Sequence, residues 1–337
     1  MKRYGNLFSR VAAKENLAVA FHNAAKGKHW QRKVQAAEEN KDALLEELRQ
    51  SLLTHTFHTS EYRTKWIYEP KKRLIYVLPF YPDRIVQHAI MQVLEPIWDG
   101  LMIHNSFACR RGKGQHKASD VCKDYAMTHE YCVQCDIAKF YPSIRHDLIK
   151  ALLRRKIKDK EMLWLLDDII DSAEGRRNVP IGNYLSQWLG NLFMNELDTF
   201  VKQELHVKPY LRYCDDFLFF GDDKEEMKRI ADKAEEFCND VLDLRLSKKS
   251  LFHTYQGVDF VGYRHFHNGK VLVRKRTARR IIRKLKRLPV KMARGRIDND
   301  KARSVVASAD GWLRHANTYN MRQYLSLWRL KGMVAGA

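Results

Sequence analysis

Three aspartates stand where solvation alone does not explain them. Asp136 follows the alternating run Tyr131-Cys132-Val133-Gln134-Cys135. Asp215-Asp216 lies between Tyr210-Leu211-Arg212-Tyr213 and Phe217-Leu218-Phe219-Phe220, both aromatic and apolar. Runs of this kind read as strands. If those strands pair side by side, the carboxylates converge at one sheet end, where they repel one another unless a cation sits between them. Carboxylates are hard oxygen donors of the kind Mg²⁺ takes. With two such ions, one activates an attacking oxygen and the other stabilises a departing pyrophosphate. Asp215-Asp216 could serve only as a hairpin turn, since Asp favours turns. Asp136, in an apolar strand, shifts the balance toward metal.

The elements that must carry these acids can be read from spacing. Leu44, Leu45, Leu48 and Leu52 give helical periodicity to the first 60 residues. Ile67-Tyr68 and Leu74-Ile75-Tyr76-Val77-Leu78 flank Glu69-Pro70-Lys71-Lys72-Arg73, a hairpin with a cationic tip. Asp83 is expected to cap a helix carrying Ile85, Ala89, Ile90, Val93 and Leu94 and closed by Pro96. Residues 147–173 read as helical. Pro180-Ile181-Gly182 reads as a turn opening a helix with a single stripe of Leu185, Leu189, Leu192, Phe193, Leu197 and Phe200. After a helix over 224–243 come strand-like segments at 244–246 and 258–263. Thr277 is then expected to cap a helix seamed by Ile281, Ile282, Leu285 and Leu288. This order predicts an α+β fold in which an antiparallel sheet carries helices on one face.

The chain has 337 residues, 61 Lys+Arg, 40 Asp+Glu and a net charge of +21. Its 45% hydrophobic content excludes global disorder, and the charge points to a polyanion, with nucleic acid ahead of an anionic membrane. Thirteen Lys/Arg and no acidic residue lie between Lys270 and Arg296, which locates the densest positive field. No apolar run is long enough for a spanning helix, and no signal-peptide core follows the basic N-terminus. Six scattered cysteines suit a reducing compartment, so a cytoplasmic location without membrane is expected. Cys132-x-x-Cys135 has metal-ligand spacing but no second pair, and reads as two packed core thiols. His104, His116 and His129 form no ligand pattern and read as surface or capping residues.

In order along the chain, these motifs resemble a reverse transcriptase. Gln134-Cys135-Asp136-Ile137-Ala138-Lys139-Phe140-Tyr141-Pro142-Ser143-Ile144 resembles the first catalytic-aspartate motif, and Tyr213-Cys214-Asp215-Asp216 the polymerase box. Leu246-Ser247-Lys248-Lys249-Ser250 resembles the following lysine motif, one residue short, so that Lys248 and Lys249 compete for its role. Val258-Asp259-Phe260-Val261-Gly262-Tyr263 resembles the primer-grip strand, and 309–316 with Tyr319 a later thumb segment. Ile181-Gly182-Asn183-Tyr184-Leu185-Ser186-Gln187 occupies the place of a Gln-Gly-x-x-x-Ser-Pro-like stretch in relatives of group II introns. The Ile-Gly-x-x-x-Ser-Gln form is similar to the reverse transcriptases of diversity-generating retroelements.

The resemblance implies a right-hand polymerase: fingers over 1–130, a palm over 131–267 with a fingers insertion near 148–178, and a helical thumb over 268–337. It implies an RNA-directed DNA polymerase that copies template RNA from a DNA or RNA primer with dNTPs, error-prone at template adenines. Two Mg²⁺, with Mn²⁺ as a substitute, would be held by Asp136, Asp215, Asp216 and the Ile137 carbonyl. Arg73, Lys71, Tyr141, Gln187 and Lys249 would meet the dNTP. Tyr141 would select against a ribose 2′-OH. Ile181, Gly182 and Arg73 would lie at the template base and set fidelity. Arg110, Arg111, Lys113, Arg279, Arg280, Arg283, Lys284 and Arg287 would bind nucleic acid, and a basic accessory protein is the implied partner. The rival readings are a retron-like or group II intron-like enzyme of ordinary fidelity, or a catalytically silent RNA-binding scaffold.

Overall fold

The computed structural model describes residues 3–68 and 72–335. Helices α1 (Phe8–Val11), α2 (Lys14–Ala25), α3 (Arg32–Glu39) and α4 (Lys41–Leu53) precede the hairpin of β1 (Arg63–Ile67) and β2 (Arg73–Val77). Then come α5 (Ile85–Asp99), α6 (Gln115–Thr128) and β3 (Tyr131–Ile137), followed by α7 (Phe140–Ser143), α8 (His146–Lys156), α9 (Lys160–Asp171) and α10 (Tyr184–Gln203). The second acidic motif sits between β4 (Tyr210–Tyr213) and β5 (Asp216–Gly221). Beyond it lie α11 (Lys224–Asp240), β6 (Leu246–His253), β7 (Val258–Phe260), β8 (Tyr263–His265) and β9 (Val271–Val273). The chain ends in α12 (Lys275–Lys286), α13 (Leu288–Ala293), α14 (Asn299–Arg314), α15 (Tyr319–Tyr324) and α16 (Leu327–Ala335). Helices and antiparallel strands are both present, as an α+β fold requires.

The chain forms two compact units, one of Met1–Cys109, Asp136–His206 and Asp232–Lys248, the other of Arg110–Cys135, Val207–Ala231 and Lys249–Ala337. In the first, α5 packs against α1, α2 and α10. Its Val86, Ala89, Ile90, Val93, Leu94 and Trp98 are buried at helical spacing. α10 corrects the expectation of one apolar stripe, because Trp188, Asn191, Met194 and Asn195 are buried as well as the predicted leucines. A helix buried on several faces must pair its polar side chains. Asn191 accordingly donates to the Ala108 carbonyl at 2.8 Å and Asn195 to that of Leu101 at 3.2 Å.

One sheet of four strands has the order β4-β5-β3-β6, and a three-stranded sheet in the second unit has the order β7-β8-β9. β4 and β5 pair antiparallel, with Tyr213 opposite Asp216. Phe217, Leu218, Phe219 and Phe220 are almost wholly buried. At about 2–3 kcal/mol for each large apolar side chain taken from water, this hairpin is a rigid mount. α6 packs against β4, β7 and β8. The C-terminal helices share a core of Ile281, Leu285, Leu288, Val306 and Leu313 with Tyr263 of β8.

Several local expectations give way to tertiary partners. Asp83 does not cap α5. It is buried, and its Oδ1 accepts the Ser60 amide at 2.9 Å. Pro96 does not close α5, which runs on to Asp99, since a proline in the last turn forgoes only one amide bond. Residues 147–173 hold two helices because Asp159 caps α9, accepting from Met162 N at 3.1 Å and from the Leu7 and Phe8 amides at 2.6 and 3.0 Å. Thr277 lies inside α12, whose N-cap is Arg274. Residues 258–263 are two strands, turned at Val261 (φ +42°) and Gly262 (φ +89°). A Cβ on Gly262 would sit 2.6 Å from the Trp312 ring, so glycine is required there by both backbone and neighbour. The strand expected at 244–246 begins only at Leu246 and continues to His253.

Candidate active site

The acidic turn is built from below. Cys214 adopts a left-handed conformation (φ +55°), which tightens the connection between β4 and β5. Arg212, with no exposed surface, donates from Nη1 to the Cys214 carbonyl at 2.9 Å and so braces the turn. Asp216 opens β5, and its Oδ1 accepts from Gln134 Nε2 at 3.2 Å; the same amide nitrogen donates to the Asp259 carbonyl at 3.0 Å. Gln134 is buried, and Asp136 follows it two residues later on the same face of β3. Asp136 Oδ2 accepts from Ser247 Oγ at 2.8 Å, and the Ala138 amide donates to the Arg245 carbonyl at 2.8 Å. The sequence reading assigned no supporting role to Gln134, Ser247 or Arg212. The one signal for Arg212 was a cation inside an apolar strand.

Carboxylates and backbone carbonyls are oxygen donors, which suit a hard cation and not a thiophilic one. Among the described residues, no group of three or more His, Cys, Asp or Glu side chains is gathered as a metal site. Cys132 and Cys135 are both buried. Burial pushes the neighbouring Cys122 thiol well up, helped by Cys132, Asp216 and Asp259.

The predicted nucleotide-facing residues have definite settings. Arg73 is exposed at the start of β2, opposite Ile67, whereas Lys71 lies outside the described residues. Tyr141, half-buried in α7, has its ring 5.1 Å from that of Phe140. A Cβ on Gly190 of α10 would come within 3.0 Å of both rings, so the glycine admits them. The Ile181 carbonyl accepts the Tyr76 amide at 2.7 Å, which ties the Ile181–Gly182 turn to β2, three residues from Arg73. Gln187 Oε1 accepts from the Cys109 thiol at 3.2 Å. Lys248 and Lys249 are both exposed on β6.

Arg110 and Lys113 are half-buried and Arg111 exposed in the turn before α6, where Gly112 and Gly114 take positive φ. Arg279, Arg280, Arg283, Lys284 and Arg287 are exposed around α12 and just beyond it, while Ala278, Ile281 and Leu285 face the core. His116 is not a plain surface residue. Its ring stacks on that of His315 at 4.3 Å and its Nε2 lies 3.0 Å from the Tyr263 hydroxyl. No helix among the described residues is long and apolar enough to cross a membrane.

The family profile of reverse transcriptases (RNA-dependent DNA polymerases) matches residues 67–265, more than half of the chain and all three aspartates. The chain belongs to that family and is an RNA-directed DNA polymerase. It is 26% identical to protein YkfC of Escherichia coli K12 over 264 residues, covering 64% of this chain and 68% of that protein. It is 23% identical to the group II intron-encoded protein LtrA of Lactococcus lactis over 288 residues, covering 64% of this chain and 48% of LtrA. It thus spans about two thirds of the first relative and about half of the second. Among solved structures, apo telomerase from Candida tropicalis aligns over 68% of this chain and 52% of its own, with a TM-score of 0.48 and 13% identity.

Proposed function

We propose that this polymerase is the error-prone reverse transcriptase of a diversity-generating retroelement, copying a template RNA into cDNA with frequent errors at adenines. The carrying observation is the segment Ile181-Gly182-Asn183-Tyr184-Leu185-Ser186-Gln187, set against β2 inside the matched family region. In this reading residues 1–130 act as fingers, 131–267 as palm with an insertion near 148–178, and 268–337 as thumb of a right-hand polymerase. Asp136, Asp215, Asp216 and the Ile137 carbonyl hold two divalent ions, Mg²⁺ first. When bound, those ions lower the barrier to attack by a primer 3′-OH and neutralise the departing pyrophosphate.

The chain's own residues position the reactants. Arg73 pairs with the triphosphate and can also stack on the base; Lys71, Gln187 and one of Lys248 and Lys249 complete the nucleotide contacts. Tyr141, backed by Phe140, excludes a ribose 2′-OH. Ile181 and Gly182 line the template base with Arg73. The cations around α12, with Arg110, Arg111 and Lys113, neutralise phosphates of the template and primer. A basic accessory protein and a cytoplasmic location belong to the same reading.

Primer extension on a defined RNA template with Mg²⁺, followed by sequencing of the cDNA, tests this. Asp216→Asn should lower synthesis at least about a thousandfold, as loss of a metal-binding carboxylate removes several kcal/mol of transition-state stabilisation. RNA binding should persist. Errors concentrated opposite adenines support the mutagenic enzyme. Even, rare errors favour the group II intron-like alternative, and no synthesis on any primed template favours the scaffold.

A further inference from the structure

Asn183 sits at the N-cap of α10 yet makes no side-chain cap hydrogen bond, although Asn is among the best capping residues. The capping is done from elsewhere: Gln87 of α5, buried, accepts the Tyr184 amide on Oε1 at 2.9 Å. The Asn183 amide is turned instead to the Tyr62 hydroxyl, to which Nδ2 donates at 2.7 Å. Tyr62 OH lies 2.9 Å from Ser172 Oγ, and Ser172 in turn donates to the Ile169 carbonyl at 2.6 Å. Since Ser172 spends its proton on Ile169, Tyr62 donates to Ser172 and accepts from Asn183. The result is one directed chain from Asn183 to the end of α9. Burial pushes the Tyr62 hydroxyl above its ordinary value, so it keeps its proton at neutral pH.

The same tyrosine touches the hairpin. Its ring meets that of Tyr76 edge-on, with centroids 5.5 Å apart. Tyr76 is the residue of β2 whose amide donates to Ile181 O, and its carbonyl oxygen lies 2.2 Å from where a Gly182 Cβ would be. Tyr62 is itself anchored by its upstream neighbours. Asp168 accepts the Thr59 amide at 2.8 Å and the Thr59 hydroxyl at 2.7 Å, while Asp83 accepts the Ser60 amide. One side chain therefore bears on both sides of the Ile181–Tyr76 junction, and through them on Arg73, Ile181 and Gln187.

We infer that Tyr62 and Asn183 are positioning residues that fix the 181–187 segment against β2 and thereby set how tightly, and how faithfully, an incoming dNTP is held. The inference rests on the proposed reading that Arg73 and Ile181 meet the nascent base pair.

Tyr62→Phe removes only the hydroxyl and keeps the ring on Tyr76. Steady-state primer extension, with cDNA sequencing, should show KM for dNTP raised about five- to tenfold, the range one buried hydrogen bond commands, with a changed error spectrum and kcat affected far less. Asn183→Ser should do the same while restoring a local cap, and the double variant should be no worse than either single one. A merely structural role would lower the thermal midpoint without moving KM or the error spectrum, and that result overturns the inference. Ile181→Ala run in parallel separates the two levels. If it changes KM or errors and Tyr62→Phe does not, the positioning inference fails and the proposed function stands. If neither changes them, the placement of the 181–187 segment at the base pair fails, and the inference with it.

Discussion

The acidic hairpin at 213–216 and the segment 181–187 are held by opposite means. The hairpin stands on β4 and β5, whose Tyr210, Phe217 and Phe219 are fully buried. Regular backbone pairing and apolar burial fix it, with Arg212 and Gln134 as braces. Residues 181–187 pass from irregular backbone into the first turn of α10. Beside the buried Leu185, their anchors are single polar contacts from separate places: the Tyr76 amide, Gln87, Tyr62, and Ser186, whose hydroxyl donates to the Pro180 carbonyl at 2.7 Å. Non-directional burial tolerates little displacement because interiors are close-packed. A set of hydrogen bonds can be adjusted one at a time, each worth about 1 kcal/mol. In the proposed reading, the carboxylates that would hold the ions sit on the rigid mount, and the residues that would grade a substrate sit on the adjustable one.

Phe219→Ala tests the rigid side and should have the largest effect. It opens a cavity in the hairpin core and should cost about 3–5 kcal/mol in denaturant unfolding, with synthesis lost in proportion to folded protein. A cost under about 1 kcal/mol would break the contrast. Gly182→Ala comes next. It puts a methyl group 2.2 Å from the Tyr76 carbonyl oxygen at a φ of +126°, so the turn must leave β2 at a cost of about 2 kcal/mol or more. Nucleotide KM should rise more steeply than stability falls, whereas unchanged kinetics would mean that the junction with β2 is passive.

The smallest effect concerns pH. His88 of α5 stacks on Tyr184 at 4.7 Å, and its pKa is lowered to about 4 by burial and then by Lys28 and Arg84. Its unfolded value is near 6.5, so between those values the unfolded chain takes up a proton that the native state refuses. Stability from this group is full above about pH 6.5 and declines as pH falls toward 4. Thermal midpoints measured over that window should fall, and His88→Gln should flatten the slope. An equal slope in the variant would place the acid sensitivity elsewhere.

The longer helices were legible because burial imposes a period of 3.6, as in the Leu185–Leu197 spacing, and Tyr131–Ile137 read as a strand from its residue types although Cys132 to Cys135 are buried on both faces. Capping was not. Asp83 and Thr277 read as local caps, yet Asp83 goes to Ser60 and Thr277 falls inside α12, while Asn183, at the N-cap of α10, goes to Tyr62. A short polar side chain chooses among partners by what the fold brings near, and that choice leaves no trace in a window of ten residues. The turn at Val261–Gly262 stayed hidden because strands of three residues are too short to show a period.

By itself the sequence determined the chemistry. The three aspartates, the order of the motifs around them and the basic run from Lys270 to Arg296 are covalent facts, and side-chain type alone makes any donor set drawn from those aspartates oxygen-only and the C-terminal field cationic. Only the tertiary structure decided which side chains support them. Gln134 reaches Asp216, Ser247 reaches Asp136, and Tyr62 reaches across 121 positions to Asn183. Hydrogen bonds are short and directional, so they pair residues by place in space, and sequence separation carries no information about that place.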